Sequence, residues 1–113
     1  MSTPSVIYVK EYDTLRISGE YKNDNGEPLS LDGITIESTM RSLNNRYEHI
    51  LSIELSDVAQ GKFVLTSDAT RFVPTVYKVD VSFLEASSGN RVTSETFNVN
   101  VLQSVTHPTG VMP

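Results

Sequence analysis

The sequence predicts a single all-β domain of sandwich type. Three observations predict it: apolar residues on every second position, turn-forming clusters at short intervals, and no segment with a convincing 3.6-residue period. Alternation with a period of two is the mark of a strand with one face in a core and one in water. It is clearest in residues 75–84, where Tyr77, Val79, Val81 and Phe83 alternate with Lys78, Asp80 and Ser82.

Taken in order, residues 5–9 form a short first strand. Residues 14–21 follow, with Leu15, Ile17 and Tyr21 on one side, Gly19 in register with them, and Arg16, Ser18 and Glu20 on the other. A glycine inside a strand predicts a bulge or the close approach of another backbone. Asn23-Asp24-Asn25-Gly26 is a turn. Residues 34–40 place Ile34, Ile36 and Met40 opposite Thr35, Glu37 and Thr39. After a turn at Asn44-Asn45, residues 47–55 carry Leu51, Ile53 and Leu55 inward. Gly61 leads into residues 62–67, where Phe63 and Leu65 alternate with Val64 and Thr66. A single helical turn is expected at 67–72, capped by Ser67 or Asp68 and ended by Pro74. The strand at 75–84 and a last one at 94–101 (Phe97, Val99 and Val101 against Asn98 and Asn100) then form a long antiparallel hairpin around Ser88-Gly89-Asn90.

These elements amount to about seven strands with turn signals every 8–15 residues or so, the spacing of a sandwich or barrel. A chain of 113 residues fits one domain. The expected layout is an N-terminal arm at 1–4, the domain at 5–106, and a tail at 107–113 framed by Pro108 and Pro113.

Composition narrows the function. There is no Cys, so disulfides contribute nothing to stability, which suits assembly in a reducing compartment. No basic, apolar leader opens the sequence, and no apolar run has the ~18–20 residues needed to span a bilayer. A soluble protein made in the cytoplasm is expected. The net charge is −5, and the nine basic residues are scattered singly, which argues against nucleic-acid binding.

Catalysis has few residues to work with. The histidines are His49 and His107. His107 lies in the tail, and His49 is read as a satisfied structural or surface residue, with a catalytic or metal role as the alternative. Asn23-Asp24-Asn25-Gly26-Glu27 faintly resembles the start of a calcium loop, but the glutamate that closes such a loop is absent and a plain turn accounts for it. Paired carboxylates would come from Glu20, Glu37, Glu54, Asp80, Glu85 or Glu95, which read mostly as solvated positions. No catalytic, cofactor-binding or metal-binding residue is assigned, and no cofactor is expected. Interaction surfaces remain: polar faces with Thr35, Thr39, Ser82, Asn98 and Asn100, exposed strand edges, and Tyr8, Tyr12 and Tyr47 as candidate exposed aromatics.

The order of features resembles the small immunoglobulin-like domains of tailed-phage virion proteins, in particular the N-terminal domain family of upper baseplate proteins. The residues that carry it are Asp13-Thr14-Leu15-Arg16-Ile17, Asn23-Asp24-Asn25-Gly26-Glu27-Pro28-Leu29, Leu31-Asp32-Gly33-Ile34-Thr35-Ile36 and Gly61-Lys62-Phe63-Val64-Leu65. Tyr77 to Phe83, Gly89 and residues 92–101 complete the series. These are turn-and-strand patterns spanning 13–101, not chemical signatures. The resemblance implies an immunoglobulin-like antiparallel β-sandwich acting as a non-enzymatic structural subunit of a virion (baseplate, neck, tail or head decoration). Because the baseplate proteins carry further regions after this domain, a stand-alone subunit is implied. It would dock to other virion proteins in several copies, as a homo-oligomer or otherwise, without nucleic acid, membrane or small-molecule substrate. The competing reading is a carbohydrate- or cell-surface-binding module.

Overall fold

The computed structural model describes residues 6–106, and these residues form eight strands and no helix. They are β1 (Val6–Lys10), β2 (Arg16–Glu20), β3 (Ile34–Ser42), β4 (Glu48–Asp57), β5 (Lys62–Thr66), β6 (Val76–Glu85), β7 (Arg91–Thr93) and β8 (Phe97–Leu102). The path through the sheet runs β1-β8-β6-β3-β4-β5-β2, with β7 added beside β6. Every pairing is antiparallel except β1 with β8, so the sheet is mixed where a wholly antiparallel one was expected.

The sheet curls into a half-barrel, and β4 is where it turns. Its first half pairs with β3 (Arg41 opposite Glu48, Ser38 opposite Leu51), and its second half pairs with β5 (Ser52 opposite Thr66, Leu55 opposite Phe63). A bulge between Leu55 and Asp57 bends the strand further. The concave side holds the core: Leu15, Leu31, Met40, Leu51, Phe63, Leu65, Phe72, Tyr77, Val79, Val81, Phe83, Val99 and Val101. Burying each of the larger of these side chains is worth about 1.5–3 kcal/mol, which drives the curl.

The inward residues of 75–84 are buried as the alternation requires: Tyr77, Val79, Val81 and Phe83 all lie in the core. Leu55 does not. It is 52% exposed, at the last regular pair with β5 before the bulge. Gly19 is no bulge either: β2 keeps unbroken register with β5 from Arg16–Thr66 to Glu20–Lys62. What comes close to it is a side chain, for a Cβ built on Gly19 would stand 2.5 Å from Phe63 Cζ.

Three local expectations change. Residues 67–72 make a bend, not a helical turn: the Ser67 hydroxyl accepts the Ala69 N–H at 3.1 Å, and Phe72 turns fully into the core. Residues 91–93, expected to lie in the connection ahead of a last strand at 94–101, form the extra strand β7 against Ser82–Leu84. The last strand therefore begins at Phe97, where β8 takes over beside β6. The first strand starts at Val6 within the described residues; Ser5, the arm 1–4 and the tail 107–113 lie outside them.

The turns follow their chemistry. Asn45 sits at φ 60°, in the left-handed region that Asn tolerates. The fully buried Ser42 organises that turn: its hydroxyl donates to Asn44 Oδ1 (2.6 Å) and accepts the N–H groups of Arg46 and Tyr47. Gly61, at φ 70°, has a stricter need, because a Cβ there would run into the carbonyl oxygens of Leu29 and Tyr21. Backbone atoms cannot step aside as a side chain does. Gly61→Ala is therefore expected to lower unfolding free energy by about 2–3 kcal/mol, combining left-handed strain with the clash. Chemical denaturation reads this directly.

Candidate functional site

His49 lies on the concave side of β4, half-buried. Its ring meets Phe72 edge-on at a centroid distance of 4.8 Å and Tyr77 at 5.9 Å. Burial among these rings lowers its pKa below the ordinary 6.5. That environment suits a packed neutral imidazole and supplies no nucleophile for it to activate. The pH consequence follows from linkage. The unfolded chain takes up the proton at a higher pH than the folded one, so this stabilisation is complete above about pH 6.5 and declines as the pH falls through it. Thermal melts between pH 7.5 and 5 should show this loss in the native chain and a smaller one in His49→Phe. His107 lies outside the described residues.

The Asn23–Glu27 turn spends its oxygens on itself. Asn23 Oδ1 accepts the N–H groups of Asn25 and Glu27, both at 3.0 Å, while Asn23 Nδ2 donates to Glu27 Oε1 at 3.3 Å. Gly26 takes φ 80° to close it. Among the described residues no group of three or more His, Cys, Asp or Glu is gathered for a metal ion.

The candidate carboxylates are spread over the outside. Glu20 pairs with Lys22 and Glu54 with Arg16, both at 3.4 Å, and Glu85 accepts the Ser87 hydroxyl at 3.2 Å. Glu37 and Asp80 come nearest to forming a pair. Glu37 faces Ser82, and Asp80 faces Thr39, so the two acids are diagonal neighbours on one open, solvated face.

That convex face does assemble the polar residues expected there. Thr35, Glu37, Thr39 and Arg41 of β3 lie beside Lys78, Asp80 and Ser82 of β6, and Asn98 and Asn100 of β8 continue the rows. Arg91 reaches Ser82 at 2.8 Å, and Arg41 binds Glu48 at 2.7 Å. Thr39, Arg41, Lys78, Asp80 and Thr96 line a shallow hollow in it. Exposed aromatics are scarcer than expected. Tyr8 is 64% exposed on β1, but Tyr47 packs against the core and Tyr12 is half-buried beside Arg71. Tyr21 stacks on Phe83 at 4.5 Å and Tyr77 is fully buried.

One cluster is absent from the sequence reading. Glu11 is 3% exposed, although its side chain is a carboxylic acid. Its carboxylate accepts Arg71 Nε and the Ser104 N–H, both at 2.9 Å, while its backbone carbonyl takes the Phe72 N–H at 2.8 Å. The end of β1, the bend before β6 and the segment after β8 are thereby tied at one point. The signal for it is phase: Glu11 follows Ile7 and Val9 on the inward side. A charge on that phase demands a partner, although nothing in sequence points to Arg71. The Glu11 hydrogen bond, in turn, raises the pKa of Arg71 and keeps the guanidinium charged.

Three strands keep one side open. Among the described residues β1 pairs only with β8, β2 only with β5, and the short β7 only with β6. Exposed apolar side chains gather at the first of these edges: Val6, Tyr8 and, from β8, Leu102. No family model matches the chain, and no curated protein does.

Proposed function

We propose that this chain is a non-enzymatic structural subunit of a tailed-phage virion that works by docking to other virion proteins. The observation that carries the docking reading is the open edge at each end of the curled sheet. Unpaired N–H and C=O rows are templates for another chain, whereas the convex face offers only shallow relief. An immunoglobulin-like arrangement is supported by the strand order. β2 pairs with β5, β3 lies beside β6, and the last strand lies between β6 and a parallel first strand. Two facing layers, β1-β8-β6-β3 and β5-β2, then share β4 as a common corner.

The virion assignment rests on the resemblance across 13–101. It implies several copies per particle, assembly in the host cytoplasm, and no need for nucleic acid, membrane, cofactor or small-molecule substrate. Mass spectrometry of purified particles tests it: the chain should be present at a fixed stoichiometry, and its absence overturns the assignment. The carbohydrate-binding alternative rests on Tyr8, the exposed member of the three candidate tyrosines. Glycan-array binding that Tyr8→Ala abolishes would favour it over docking.

A further inference from the structure

We propose that the free edge of β2 pairs with β2 of a second copy of this chain, antiparallel about a two-fold axis through Ser18. Three features of the strand lead there.

The first is which backbone groups are free. The ladder between β2 and β5 continues into the bond from Tyr21 N–H to Gly61 C=O at 2.7 Å. Backbone groups alternate sides along a strand, so Ile17, Gly19 and Tyr21 point theirs at β5 while Arg16, Ser18 and Glu20 point theirs away from it. The outward set is centred on Ser18. A two-fold axis there makes Ser18 face its counterpart and lets each outward residue exchange both backbone bonds with the residue opposite.

The second feature is charge. In that register Arg16 stands opposite the partner's Glu20, and Glu20 stands opposite the partner's Arg16. Both occupy the outer phase of the strand, so the pairs form on the same face. Directly opposite unlike charges favour a cross-strand register, and like charges disfavour it. Within one chain these residues are loosely held: Arg16–Glu54 and Lys22–Glu20 are each 3.4 Å long, between side chains 42–58% exposed. Such pairs contribute little, so regrouping them costs little. On the inner phase Ile17 meets the partner's Gly19, which has no side chain of its own and is covered by the Phe63 ring of β5.

The third feature is that the open edge of β1, at the far end of the sheet path, lacks this self-complementarity. An antiparallel self-pairing of β1 about Tyr8 would set Lys10 against the partner's Val6, with no countercharge. The two layers' shorter side, β4-β5-β2, thus extends through the axis into β2-β5-β4 of the second copy as one continuous sheet. This gives a register and a symmetry to the expectation of several copies, and it holds whether or not the chain belongs to a virion. A contact of one short strand falls below the ~1,200 Å² of a standard interface, so the dimer is weak and depends on concentration.

Sedimentation equilibrium of the full chain from roughly 10 μM to 1 mM tests it. A monomer–dimer equilibrium is expected. Arg16→Glu alone, or Glu20→Arg alone, sets like charges opposite each other twice and should weaken the dimer about tenfold or more. Mixing the two variants restores both opposite-charge pairs, and a heterodimer should form with near-native affinity. Mixing cannot repair a folding defect, and circular dichroism of each variant checks the fold directly. A native chain that stays monomeric throughout the range overturns the proposal. So does a dimer indifferent to both single changes, or one that mixing fails to restore.

Discussion

Phe72→Ala is expected to lower the unfolding free energy by about 3–5 kcal/mol, the cost of a large cavity in a packed core. Phe72 is fully buried although no strand carries it. Its ring closes the space between His49 at 4.8 Å and the rest of the core, and its N–H is bound to the Glu11 carbonyl. Losing the ring removes its packing against His49 and leaves a cavity in the core cluster. For a domain whose total stability is about 5–15 kcal/mol, the variant stands near the threshold of folding. Urea titration should show a lower midpoint with an unchanged slope, and Phe72→Leu should recover most of the loss. A loss below about 1 kcal/mol would mean that residues 67–75 do not close the core.

Glu11→Ala should cost about 2–4 kcal/mol, far more than removing a surface carboxylate, because it leaves the part-buried Ser104 N–H without its acceptor and Arg71 without its partner. Arg71→Ala should also destabilise the domain, since it leaves the buried Glu11 charge with fewer partners. The effect of Glu11→Ala should survive in 1 M salt, where surface ion pairs are screened over about 3 Å. By contrast, Glu54→Ala removes an exposed 3.4 Å pair and should change stability by less than about 1 kcal/mol. Equal effects of the two changes would show that Glu11 is solvated in solution. Amide exchange should report the same weakness locally, with faster exchange at Phe72 and Ser104 in Glu11→Ala.

Much of this fold is legible because a strand's periodicity is local. Tyr77, Val79, Val81 and Phe83 declare their face by alternation alone, and the structure buries all of them. The turns at Gly26 and Asn45 declare themselves because few residues accept φ near +60 to +80°. The parts that escape depend on distant residues. Glu11 and Arg71 are 60 positions apart, and only the curl of the sheet brings them together. Leu55 keeps the inward phase, but it stands at the end of the regular pairing with β5 and is exposed, which alternation alone does not reveal. Phe72 belongs to no periodic segment, so alternation says nothing about it. The parallel pairing of β1 with β8 joins strands from opposite ends of the chain, which no local pattern encodes.

The same split governs the candidate site. The polar outer face at Thr35, Thr39, Ser82, Asn98 and Asn100 follows from phase and is found where expected. Which tyrosines reach water does not follow from phase. Tyr47 is drawn onto the core and Tyr12 beside Arg71, so Tyr8 stands as the exposed aromatic of those three. Edges are also invisible in a sequence, because whether a strand has one neighbour or two is a property of the whole sheet.

Residue-resolved amide exchange of the dilute, monomeric chain tests the curled sheet and its open end together. Slow exchange is expected through β6, with the inward Tyr77–Phe83 stretch among the slowest. In β2, Ile17, Gly19 and Tyr21 should be protected by β5, while Arg16, Ser18 and Glu20 exchange freely from the unpaired edge. Uniform protection along β2 at low concentration would mean that another strand already covers that edge, and fast exchange through 77–83 would mean that the sheet itself is wrong.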